Sequence, residues 1–240
     1  MGTVSDVGMK NHKHQPSYTS AARPSVGWPE LIVGIAGFFA VGWALFGLFS
    51  LFDAEPVIVG VLQSLLAGLA TLGAFGLAFS LRVRRLVAFG FTRTTPKWLI
   101  VGALGGAAVF LLRGILLPPL IDLFGLATDT QSQLVGGAQG GLLALVVTGI
   151  GIAIIGPVGE EMLFRGVVQT ALFRYGAVIS TLGSAIVFAL IHGSISVLTP
   201  LAFLVGVLTA ELYRRSGSLW PAIVAHIVHN APTIFLYTLL

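Results

Sequence analysis

Across 240 residues, 56% are hydrophobic and only 9% charged, and the mean hydropathy is +0.97. No water-soluble domain can hide that much apolar surface, so a soluble enzyme or carrier is excluded and a multi-pass integral membrane protein is predicted. The net charge of +4 is spread over loops with no aromatic platform, which excludes a nucleic-acid partner, and zero cysteines remove disulfides, thiolate metal sites and a cysteine nucleophile.

Residues 1–26 are polar and lack periodicity, so they read as a disordered cytoplasmic arm; His12 and His14 there are solvated rather than metal-binding. The remainder divides into 27–138, N-terminal spans with a basic connector, and 139–240, the core that carries the chemistry. Apolar runs of roughly 20 residues each cross a hydrocarbon layer as helix. The first covers about 31–52 and the second 57–81. The connector RVRRLVAFGFTRTTPKW, with Arg82, Arg84, Arg85, Arg93 and Lys97, suits the membrane interface, with Trp98 as a headgroup anchor. A third span runs from Trp98 to Leu117, where Pro118 and Pro119 stop it. It is interrupted by Arg113, which reads as snorkelling to the far surface, with a counter-ion role as the lesser reading. A polar loop with Asp122 and Asp129 follows.

The fourth run begins near Gly141 and continues to about Phe173, longer than one crossing needs, and Pro157 must kink or break it. Three further spans cover about 178–192, 200–213 and 219 to the end. The fold class is therefore an all-α bundle of about seven spans, six or eight if a short run is interfacial. Lysines and arginines fall in every odd-numbered gap, which places the N-terminus in the cytoplasm of a cell-membrane protein.

The fourth run puts Glu160, Glu161 and Arg165 inside an apolar helix, and ionisable groups at that depth default to a functional reading. Glu161 and Arg165 are four apart and share a face; Glu160 points roughly 140° away and lacks a local counter-charge. The alternative is a structural polar network. Counted from the cytoplasmic helix ends at about 1.5 Å per residue, Glu160 and His192 lie about 21 Å deep, and His226 and Asn230 about 14 and 20 Å. All four can meet in one layer. Phe188 and His192, and again His226 and Asn230, are spaced i, i+4.

EExxxR at Glu160, Glu161 and Arg165, FxxxH at Phe188 and His192, and HxxxN at His226 and Asn230, in that order on three membrane segments, resemble the CPBP family, also called Abi. It contains type II CAAX prenyl endopeptidases and bacteriocin-processing or self-immunity proteases. The lead-in RRSGSLWPAIVAHIVHN is similar too, and the resemblance covers Gly156 to Asn230. It implies an intramembrane endopeptidase in which Glu160 and His192 activate a water while His226 and Asn230 stabilise the oxyanion, with Glu161, Arg165 and Phe188 in support. Such chemistry needs a base, a proton donor and donors aimed at the developing charge, which these side chains can supply. The implied partners are membrane lipid and a peptide or protein substrate, lipidated or not; no cofactor is implied. His229 reads as a satisfied polar group or a lining of the same cavity.

Three rival readings stand beside this one. A zinc peptidase could ligate a metal through His192, His226 and an acid, although HExxH is absent and asparagine is a poor ligand. An ion-coupled transporter also buries such groups, but shows repeated halves with paired broken helices, and only one interrupted segment is present. A catalytically silent scaffold is the third.

Overall fold

The computed structural model describes residues 25–126, 132–192 and 196–239, with side chains to residue 234. It is all-helical: α1 Trp28–Phe49, α2 Pro56–Leu81, a 3₁₀ turn Leu86–Phe89, α3 Pro96–Phe124, α4 Ser132–Ala138, α5 Leu142–Tyr175, α6 Ala177–Ile191, α7 Leu198–Ser216 and α8 Leu219–Leu239. Four of these, α1, α2, α3 and α5, are long and apolar enough to cross a membrane, and α6 is a shorter apolar helix. The chain is an integral membrane protein. The arm through residue 24 and Asp129 lie outside the described residues; Val26, assigned to that arm, is buried in the core.

Contacts between helices fix their relative directions. Gly34 and Gly37 face Ala78 and Ala74, so α1 and α2 are antiparallel; Ser64, Gly68 and Thr71 meet Gly151, Ile155 and Gly159, so α2 and α5 are parallel. Gly102 and Gly106 meet Pro221 and Ala225, making α3 and α8 parallel, and Ala185 on Gly206 with Thr181 on Glu211 makes α6 and α7 antiparallel. Helices an even number of spans apart must run the same way, and every one of these pairs obeys that rule for a seven-span count. Small residues dominate these seams because, in lipid, close backbone approach supplies the packing that water drives elsewhere. A Cβ on Gly106 would lie 2.9 Å from the Ala225 carbonyl carbon, and one on Gly68 2.8 Å from the Ile155 carbonyl carbon.

Three expectations are corrected. Pro118 and Pro119 do not stop α3, which continues to Phe124; membrane helices tolerate proline where the freed backbone groups find other partners. The connector does not lie wholly at the interface. Its 3₁₀ turn carries Phe89 into the core against Phe75 and Phe79, and Gly90 closes the turn at φ +89°, a left-handed conformation that glycine adopts without strain. The polar loop contains a helix, α4, whose Gly137 packs against Gly60 at the start of α2.

Pro157 neither breaks nor ends α5. The backbone widens into a π-helix over Gly151–Ile155, where the Gly156 N–H bonds back to the Gly151 carbonyl, and a second π stretch covers Met162–Gln169. In an i→i+5 ladder the donor due to the Ile152 carbonyl is residue 157, and proline has none. That carbonyl accepts instead from Asn230 Nδ2 of α8, at 3.0 Å.

Candidate active site

One cavity of about 460 Å³ lies between α2, α3, α5, α6, α7 and α8, and Glu160, His192, His226 and Asn230 all line it. Phe188 and His229 line it too. The residues singled out in three separate motifs are therefore brought to one space.

Beneath the cavity lies a buried charged network. Glu161 and Arg165 are fully buried and joined Oε2 to Nε at 3.1 Å, the i, i+4 pair expected from spacing. Arg165 also donates from Nη2 to the Gly206 carbonyl at 3.0 Å, and its guanidinium sits 4.7 Å from the Phe188 ring centroid. The second Glu161 oxygen, Oε1, accepts from His226 Nδ1 at 2.8 Å. Glu161 thus ties α5 to α8 while its arginine ties α5 to α7. Burying a charge pair is costly where its hydrogen-bonding capacity goes unmet: Arg165 Nη2 and Glu161 Oε1 are bonded, whereas Arg165 Nη1 has no hydrogen-bond partner among the described residues and the Nε–Oε2 contact is an ion pair without hydrogen-bond geometry.

Glu160 has no ion pair on its own helix among the described residues, as helix geometry implied, and its partner comes from α8. Its Oε2 lies 3.6 Å from His226 Nε2, too long for a hydrogen bond and the right scale for a charge contact, and its side chain keeps 14% exposure. His226 therefore faces both acids, one through each ring nitrogen. Because the Glu161 carboxylate accepts, Nδ1 carries a proton, and Nε2 is the nitrogen turned toward Glu160 and the cavity.

His192 follows the last turn of α6, and its Nδ1 lies 2.8 Å from the Phe188 carbonyl. A carbonyl only accepts, so Nδ1 donates and Nε2 is left as the ring's free nitrogen. Phe188 packs edge-on to Phe164, His192 and His226 at centroid distances of 5.0, 4.6 and 5.7 Å. One ring thus spaces both histidines and covers Arg165. Asn230 spends one amide hydrogen on the Ile152 carbonyl and retains a second for the cavity. His229 is buried against Phe110 of α3 and touches neither acid directly in the pairs described.

Sequence reasoning missed Gln63 and Ser64 of α2, Thr233 of α8 and above all Arg113 of α3, which line the same cavity. The signal existed, since each is a polar residue within an apolar run. Arg113 does not snorkel to the surface at the end of its helix: it lies 11 residues before Phe124 and turns inward. Among the described residues no three His, Cys, Asp or Glu side chains are grouped to hold a metal ion.

Residues 142–232 match the family model described as Type II CAAX prenyl endopeptidase Rce1-like. The motifs and the model name one family. The Rce1-like segment begins with α5 and ends in α8, and every candidate site residue named from the sequence falls inside it. Arg113, Gln63 and Ser64 fall outside it, on the N-terminal helices. No curated protein and no solved structure matches the chain.

Proposed function

We propose that the chain is an intramembrane endopeptidase that hydrolyses a peptide bond of a membrane-associated or lipidated substrate inside this cavity. The observation that carries the reading is the convergence of Glu160, His192, His226 and Asn230, from α5, α6 and α8, on one space within an Rce1-like segment. Glu160, exposed to the cavity while Glu161 is sealed beneath it, is the base that takes a proton from the attacking water. His192, with Nε2 free, accepts a hydrogen bond from that water, takes the proton from Glu160 at Nε2 and delivers it to the leaving amine. His226, oriented through Nδ1 by Glu161, acts in its doubly protonated form, so that its Nε2–H, beside Glu160, and the second Asn230 hydrogen meet the oxyanion. Glu161 and Arg165 hold His226 and α7 in place and touch no reacting atom.

In this reading no metal takes part, because HExxH is absent and Asn230 is a poor metal ligand, and activity persists in chelator. The N-terminus is cytoplasmic and the membrane is the plasma membrane, in line with the placement of basic residues. Comparative proteomics of membranes from cells carrying Glu160→Gln against wild type tests the function: a membrane or lipidated peptide that stays uncut only in the variant is expected. Identical peptide sets, with both proteins expressed equally, reject it.

A further inference from the structure

Charges outside the cavity are sorted to the two ends of the bundle. The Trp28 indole donates to the Tyr175 hydroxyl at 2.8 Å, Arg82 pairs with Glu30 at 2.7 Å, and Thr92 Oγ1 donates to the Gly217 carbonyl. The start of α1, the end of α2, the connector, the end of α5 and the α7–α8 turn therefore share one end. Every described arginine and lysine except Arg113 and Arg165 stands there, whereas Asp53, Glu55 and Asp122 stand at the other. The acids of the basic end are already occupied. Glu211 accepts from Arg214 and Arg215, and buried Glu30 takes Arg82 through Nε and Nη2 together with the Gly27 N–H. Arg174 is left over: it is exposed, and among the described residues no aspartate or glutamate forms an ion pair with it. Its Nη2 reaches only the Val26 carbonyl, at 3.5 Å, beyond the ordinary range of a hydrogen bond. Yet it lies against a second cation. A Cβ on Gly27 would stand 2.7 Å from Arg174 Nη2 and 3.6 Å from Arg82 Nη2, so two guanidiniums converge on one glycine.

We propose that Arg174 and Arg82 together hold the phosphate of an anionic glycerophospholipid, a resident lipid that clamps the start of α1 and the end of α2 to the end of α5. Arg82, Glu30 and Arg174 carry a net positive charge between them, and a phosphate diester shared by the two arginines neutralises it. A planar guanidinium matches phosphate oxygens two at a time, which suits arginine to this ligand. The depth is that of a headgroup. Trp28 and Tyr175 are 48% and 44% exposed, packed edge-on with their polar atoms bonded, as an aromatic pair at the membrane interface is placed. One turn further along α1, on the face of Trp28, exposed Ile32 offers hydrocarbon surface to an acyl chain. Cations continuous with bare apolar helix favour a lipid over a soluble anion. The headgroup must be net negative, because a choline would bring a third cation to the two arginines. Gly27 serves as the spacer: its missing side chain leaves the room that Arg174 fills, while its extended backbone is one that alanine also adopts.

The test uses purified full-length protein in a neutral detergent, titrated with dioleoyl phosphatidylglycerol, dioleoyl phosphatidylcholine or soluble glycerol phosphate. Bound lipid is counted by native mass spectrometry, and Tm is followed by thermal unfolding. Wild type is expected to retain phosphatidylglycerol in preference to phosphatidylcholine, with a rise in Tm that glycerol phosphate does not give even in excess. Arg174→Gln should weaken that retention on the order of 10- to 100-fold, the worth of a charge-assisted hydrogen bond, and remove the rise. Gly27→Ala keeps every charge but pushes Arg174 Nη2 aside, and should weaken retention in the same direction. Arg84→Gln removes an equal charge from the same end, where Arg84 bonds to the Ser80 carbonyl, and should leave retention nearly unchanged. Equal retention of the two lipids by wild type, or equal protection by glycerol phosphate, overturns the proposal. So does an Arg84→Gln protein as impaired as Arg174→Gln, which would mean a diffuse basic surface with no defined site. If Arg174→Gln already melts lower without lipid, Gly27→Ala decides: a lipid preference kept in that variant rejects the site, and a preference lost supports it.

Discussion

Replacing Glu161 by glutamine isolates the buried charge while barely changing shape. The carboxamide oxygen can still accept from His226 Nδ1, but its NH₂ would face Arg165 Nε, which now lies 3.1 Å from a carboxylate oxygen. Removing one partner of a buried pair costs about 3–5 kcal/mol because the other charge is left uncompensated. Arg165 keeps the Gly206 carbonyl and the Phe188 ring, so the lower end, about 3 kcal/mol, is expected. For a chain of this length that corresponds to a fall of about 6–12 °C in Tm, measured by thermal unfolding in detergent. Adding Arg165→Met should recover much of the loss, since an apolar replacement of a buried pair is often neutral. Glu160→Gln is the control: its acid is partly exposed and has one partner at 3.6 Å, so Tm should hold while cleavage disappears. A Glu161→Gln protein melting within a degree or so of wild type would refute the idea that this pair supports the core.

Asn230→Ala removes both a cavity donor and the partner of the Ile152 carbonyl. Turnover should drop about 10²- to 10³-fold and stability by about 1–3 kcal/mol; unchanged Tm would show that water serves the carbonyl equally well, and near-normal turnover would reject the oxyanion role. His229→Ala should reduce turnover far less than His226→Ala in the same assay, because His229 packs on Phe110 and bonds to neither acid in the pairs described. Gly106→Leu forces α3 off the Ala225 backbone, one residue before His226, and should cost about 1–3 kcal/mol with turnover falling alongside; a variant that keeps both Tm and turnover would mean the seam is softer than its contacts.

Hydropathy and charge alone made the spans legible, because lipid forces the backbone into helices and leaves length and polarity as the main variables. The Glu161 and Arg165 pair was equally legible, since i, i+4 spacing is local. What depends on another helix was not. The Glu160 contact with His226, and the second role of Asn230, arise where α8 lies against α5, and no spacing within either helix encodes that. Arg113 was misread because a proline pair looked like a helix end; α3 continues, and the side chain turns into the cavity toward Thr233 of α8. Helical rise is regular even where azimuth is not, and one cavity is lined by all four residues that counting brought toward one layer.

The widened turns in α5 give the long helix an unusual sensitivity to its own length. Each i→i+5 stretch holds residues that a regular α-helix would place at another azimuth, so Gly151–Ile155 works as a phase adjuster between Leu142–Ile150 and the acids. Deleting one residue between Ile155 and Glu160, where the ladder is regular α-helix, would rotate the preceding segment by about 100° relative to Glu160. Every motif residue and nearly all the hydropathy would survive such a deletion. The Ile152 carbonyl would no longer meet Asn230, and Gly151 would no longer offer its bare face to Ser64 of α2. The count of residues ahead of the acids is therefore as much a part of the site as the acids themselves.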